Sequence, residues 1–120
     1  MSLKVTTSQT TLPAGEALNV EGLLAFAEHG ISSRVLAKAS GGNVTLFTFE
    51  RGQALTEHTS PFDALVFILQ GAMALTIGGQ QVRAPAGTVT RMPAATPHAL
   101  QAEERTRMLL VMLRESKADA

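Results

Sequence analysis

The sequence predicts an all-β barrel with a short N-terminal helix. Three observations carry that prediction. From about residue 33 onward the chain breaks into short apolar segments, nearly every one bounded by Gly, Pro or Asn, the pattern of a sandwich or barrel. Several segments alternate with a period of two, as strands do. The best helix candidate, LNVEGLLAFAEHG (18–30), precedes them all.

Residues 4–12 read as a first extended segment. In 18–30, Leu23, Leu24, Phe26 and Ala27 form a short apolar stripe, and Gly30 stands where a helix stops. On this reading His29 closes the helix, where a cation complements the dipole, and has no catalytic part. The segments SSRVLAKA, NVTLFTFERG, DALVFILQG, AMALTIGG, QQVRAP, GTVTRMP, HALQA and RTRMLLVML come next. In NVTLFTFE, Val44, Leu46 and Thr48 share one face and Thr45, Phe47 and Phe49 the other, so both faces are expected to be covered. IGGQQ (77–81) fits a tight hairpin, because Gly78 and Gly79 accept positive φ. Pro85, Pro93 and Pro97 mark strand boundaries. Met108, Leu110 and Met112 alternate with Arg107, Leu109, Val111 and Leu113, which leaves both faces of the last strand apolar. One face fills the barrel, and a partner subunit is the expected cover for the other.

The chain has 120 residues, enough for one domain (1–120), with the barrel core at about 33–113 and a polar tail, 114–120, expected to fray. Ten basic and ten acidic residues balance and are scattered, which argues against nucleic acid or an anionic membrane as partner. No cysteine is present, so disulfides, thiolate metal sites and a cysteine nucleophile are excluded. The absence fits a reducing cytosol, and a cytoplasmic location is expected. No secretory leader is visible, and no apolar run approaches the ~20 residues of a membrane span.

The chemistry concentrates in TEHTSPFDALVFILQG (56–71) and in PAATPHALQA (93–102). On a strand His58 and Ser60 point the same way. His98 opens another short strand forty residues later, so the two histidines can converge inside a barrel. Spacing alone leaves that open. Glu57 faces the other way, and Asp63 reads as a turn residue that caps local backbone groups after Pro61.

The stretch 52–71 resembles the first cupin motif: glycine, five residues, H-x-H, three or four residues, glutamate, six residues, glycine. Gly52, His58 and Gly71 match it, while Ser60 holds the second histidine's place and Ala64 the glutamate's. The stretch 87–102 resembles the second motif: glycine, five residues, P-x-G, two residues, histidine, three residues, asparagine. Gly87, Pro93 and His98 match it, while Ala95 replaces the second glycine and Ala102 the asparagine. The wording HTSPFDALV is similar to small single-domain cupins of the RmlC-like, cupin-2 type, whose physiological role is unassigned. The resemblance implies a jelly-roll barrel, or double-stranded β-helix, and a homodimer. Cupin metal sites usually use three histidines and a glutamate. Here only His58 and His98 carry over, so a divalent iron, manganese, nickel or zinc ion is expected to be weakly held or absent. Ser60, Ala64, Met92 and Met108 are the candidate pocket-lining residues.

Three functions remain in view: a small-molecule binder with a reduced two-histidine pocket, a metal-dependent oxygenase or isomerase, and a structural or partner-binding dimer. A metal-free acid–base enzyme is a thinner fourth.

Overall fold

The structure is a computed structural model that describes residues 5–114. Ten strands form two sheets: β1 (Val5–Ser8), β2 (Ile31–Ala39), β3 (Gly42–Phe49), β4 (Ala54–His58), β5 (Asp63–Gln70), β6 (Ala72–Ile77), β7 (Gln80–Pro85), β8 (Val89–Met92), β9 (His98–Ala102) and β10 (Thr106–Leu113). One sheet runs β1-β2-β3-β10-β5-β8 and the other β4-β9-β6-β7. All pairings are antiparallel except β1 with β2. Consecutive strands repeatedly lie in different sheets, as a jelly roll requires. The expected frayed tail lies, apart from Arg114, outside the described residues.

The period-two alternation decides what fills the barrel. In register across the larger sheet, Phe47, Met108 and Ile68 form one inward row, and Ile31, Phe49 and Thr106 another. Met73, Leu75 and Leu100 meet them from the smaller sheet. Burying each such large side chain contributes about 1.5–3 kcal/mol, so this one cluster carries most of the apolar stabilisation. Thr106, fully buried, satisfies its hydroxyl by accepting from Ala72 N and donating to backbone carbonyls.

Two tight turns let the chain double back. Gly78 and Gly79, at φ 57° and 83°, make the β6–β7 hairpin expected of IGGQQ. Gly71, at φ 86°, carries the chain from β5 in one sheet to β6 in the other, and a Cβ there would overlap the Arg105 carbonyl oxygen.

The predicted N-terminal helix is not there. Residues 18–30 hold one 3-10 turn, Val20–Gly22, capped by Asn19, whose Oδ1 accepts from Glu21 N. The rest is an irregular strap over the outside of the larger sheet. The sheet's side chains take the strap's carbonyls directly: Arg34 donates to Thr10 O and Leu23 O, Arg107 to Leu24 O, and Thr48 to Ala25 O. A short helix must overcome a costly nucleus, made worse by Gly22 in its interior. Bonds from a charged donor contribute about 1.5–3 kcal/mol each, and they win. His29 therefore does not close a helix; it sits in an exposed turn at φ 56° beside Glu28. Under the strap Thr48 and Arg107 are buried, and Phe26 lies against both Arg105 and Arg107, at 4.6 and 4.9 Å from its ring centre. Arg107 Nε has no hydrogen-bond partner among the described residues.

Beyond the strap the outer face stays apolar. One row begins at the fully buried Leu46 and runs through Leu109 and Phe67 to Val89, which is 54% exposed. Val44, Val111 and Leu65 form a second row beside it.

Candidate functional site

His58 ends β4 and His98 begins β9, and the two are partners in the register of the smaller sheet. Strict alternation would not bring them together on the inner side. Leu55 packs against the core, so a regular strand would turn Glu57 inward and His58 outward. An irregularity intervenes: β4 advances three residues from Leu55 to His58 while β9 advances two, from Leu100 to His98. The extra residue is a bulge, and past it the facing of the strand is reversed.

The result is a close pair. His58 Nε2 and His98 Nε2 are 3.1 Å apart, with the rings edge to face at 72°. Each ring is oriented from its other nitrogen: His58 Nδ1 contacts Thr56 O at 2.8 Å and His98 Nδ1 contacts Thr96 O at 3.1 Å. His98 is buried and His58 exposed, so the pair stands at the mouth of the barrel with one ring inside and one in water. Burial is the main cause that pushes the His98 pKa below the usual histidine value; the hydrogen bond to Thr96 opposes it and the charge of His58 adds to it.

Neighbouring loops brace this mouth. Ala95 N donates to Ser60 O, which ties the loop before β9 to the loop after β4. Gly78 N donates to Pro97 O, which ties in the β6–β7 hairpin. Ala95, in the place of the motif's glycine, adopts φ 63°.

The other candidates occupy different surroundings. β4 ends at His58, so Ser60 does not share its strand face; it lies in a turn and its Oγ accepts from Phe62 N. Ala64, Met92 and Met108 are buried members of the core cluster. Asp63 is not a local cap: its carboxylate accepts from Ala94 N and pairs with Arg91. Those two partners, the amide first, hold its pKa below the usual carboxylate range. An open groove of about 250 Å³ lies elsewhere, between the β2–β3 hairpin and the end of β10, and the candidate pocket residues do not line it.

A model of the cupin domain family matches residues 45–113, a span that holds both histidines, most of β3 and every strand from β4 to β10. The chain belongs to the cupin family. Among solved structures, this cupin is similar to a conserved protein of unknown function from Streptococcus pyogenes, with 31% identity, a TM-score of 0.83, and 91% of this chain and 96% of that one covered. A cupin superfamily protein from Desulfitobacterium hafniense shows 28% identity and a TM-score of 0.81, over 89% and 98% of the two chains. An RmlC-like cupin from Desulfovibrio desulfuricans, at 22% identity, TM-score 0.72 and coverage of 82% and 95%, shares the fold. No curated protein matches.

The metal centre usual in cupins does not fit the residues of this chain. Two nitrogens 3.1 Å apart have the separation of neighbouring ligands around one ion, since metal–nitrogen bonds are about 2.0–2.1 Å. The remaining donors are lacking. Among the described residues no three His, Cys, Asp or Glu side chains gather. Ala64 has no donor atom, and Asp63 is engaged elsewhere.

The sequence reading missed the bulge and the two carbonyls that orient the rings. One signal was present: both histidines occur as T-x-H, Thr56-Glu57-His58 and Thr96-Pro97-His98, with the orienting carbonyl two residues upstream each time.

Proposed function

We propose that this protein is a small-molecule-binding cupin whose polar anchor is the His58–His98 pair, and that binding needs no resident metal. The observation that carries this reading is the pair itself: two imidazoles fixed through Nδ1, meeting at Nε2, half in water and beside an apolar barrel core. Ligand sites are commonly apolar surfaces with a few convergent polar groups. Ser60 belongs to the rim, on the loop that Ala95 holds.

The test is a thermal-shift screen of metal-stripped protein against small metabolites. A ligand at a hundred times its Kd stabilises by about 2.7 kcal/mol. The expected result is such a shift in metal-free protein that disappears in His98→Gln. Shifts that arise only after loading with iron, manganese, nickel or zinc would overturn the reading.

The outer apolar rows support a homodimer as the working form. Registered residues on three strands, Leu109, Phe67 and Val89, offer an apolar row that a second copy would cover. Light scattering should give twice the 12.6 kDa chain mass, and Phe67→Asp should give the monomer. A wild-type monomer at micromolar concentration would remove the dimer reading.

A further inference from the structure

Arg107 is a buried cation without a counter-charge. It stands on the outer face of β10 beneath the strap, only 5% exposed, and no carboxylate pairs with it among the described residues. Its Nη1 donates to Leu24 O, whereas Nε is fully buried and has no partner there. Taking a charge out of water is costly unless the charge is paired and hydrogen-bonded. One neutral carbonyl is a small return for a guanidinium with five donors. A native group left so short of partners calls for an explanation.

The unused edge of the guanidinium has a definite shape. Nε–H and Nη2–H form a fork that matches a carboxylate. Arg105, two residues earlier, has that edge in use: its Nε and Nη2 bond the two oxygens of Glu50 at 2.7 and 2.8 Å. In Arg91 the same two nitrogens take Asp63 Oδ2. In Arg107 neither of them makes a hydrogen bond among the described residues. Glu50 already serves Arg105 with both oxygens, and the strap's Glu21 and Glu28 are exposed. The cover over the edge is the strap itself. Phe26 lies 4.9 Å from the Arg107 guanidinium carbon, and Leu24 O closes Nη1. Residues 23–26 hold to the sheet through side-chain donors, with no backbone ladder to break.

We infer that the Nε–Nη2 edge of Arg107 is a binding site for a small organic carboxylate, entered when the strap lifts at Phe26. A carboxylate supplies both the missing acceptors and the missing charge, and charge-assisted bonds of this kind are about twice as strong as neutral ones. An edge buried at the sheet surface under a strap suits a small acid better than a folded partner. The site is separate from the histidine pair. Arg107 is in register with Gln70, the last residue of β5, whereas Asp63, the first, braces the loop before His98.

The test is a titration of the full chain with acetate, at constant ionic strength against chloride, read on the arginine Nε–H signals by proton–nitrogen NMR. The Arg107 signal, identified by its loss in Arg107→Lys, is expected to move and saturate with a Kd of about 1 mM, the scale of one isolated charge-assisted fork. The Arg105 signal, already held by Glu50, should stay in place, and His98→Gln should respond like the parent. Hydrogen exchange in residues 23–26 should accelerate with acetate in the parent and not in Arg107→Lys, which keeps the charge without the fork. Phe26→Ala keeps Arg107 and removes its cover. It should bind acetate about threefold tighter or more, because binding no longer draws on a minor strap-open population. No saturable movement of the Arg107 signal in either the parent or Phe26→Ala, or an equal response to chloride, overturns the site. Tighter binding of inorganic phosphate than of acetate overturns the carboxylate class.

Discussion

Ala95→Gly should stabilise this protein, although replacing alanine by glycine ordinarily does the opposite. Ala95 sits at φ 63°, in the left-handed region where a Cβ crowds the following carbonyl oxygen. That conformation costs an L-residue about 1–2 kcal/mol. Glycine escapes the cost but gives up about 0.5–1 kcal/mol through the greater freedom of its unfolded chain. Ala95 is exposed, so removing its methyl loses no core packing, and its amide keeps the bond to Ser60 O. The net gain is about 0.5–1 kcal/mol, or roughly 2–5 °C in Tm for a chain of this size. The assay is urea unfolding of the variant beside Ala86→Gly. Ala86 is also an exposed turn residue, but Ala95 and His29 are the only non-glycine residues at positive φ among those described. Ala86→Gly should therefore destabilise by about 0.5–1 kcal/mol. If the two variants lose stability alike, the strain argument is wrong.

Other consequences are as direct. Gly71→Ala should cost more than about 3 kcal/mol, since its Cβ would meet the Arg105 carbonyl at a positive φ; soluble yield and unfolding midpoint report it. Asp63 binds its proton less readily in the folded protein than in the unfolded chain, because Ala94 N and Arg91 favour the carboxylate. Its contribution is thus complete above about pH 4 and is lost as pH falls through the lower folded value. Unfolding curves from about pH 3 to pH 6 should show a shallower acid loss in Asp63→Asn than in the parent. Phe26→Ala should free the strap, by about 1–2 kcal/mol of local stability from its contacts with Arg105 and Arg107. Hydrogen exchange should accelerate in residues 10–30 and not in β6 or β9.

The barrel was readable because each strand is short, alternating and punctuated. NVTLFTFE became β3 with Phe47 and Phe49 inward, and IGGQQ became the β6–β7 turn. The helix was misread because the competition for its backbone is distant in sequence. Leu23 O is taken by Arg34, eleven residues on, and Leu24 O by Arg107, eighty-three residues on. No local window contains that information. Asp63 failed as a local cap for the same reason, its partners being twenty-eight and thirty-one residues away. At the site the two histidines were named through the motif resemblance, with spacing alone leaving their meeting open, and the shared face expected of His58 and Ser60 is not what the structure has. Period-two reasoning assumes an unbroken strand, and β4 is bulged before His58 and ends at it.

That bulge separates two kinds of inheritance in this sequence. The barrel depends on residues dispersed over every strand, whereas the facing of His58 is set locally, by how β4 accommodates the extra residue between Leu55 and His58. Loss of a single codon there, at Thr56 or Glu57, would remove the bulge and place the imidazole two residues after Leu55, where an unbroken strand turns it inward opposite His98. The histidine pairing can thus survive the loss of one residue from β4, whereas replacement of either imidazole would end it.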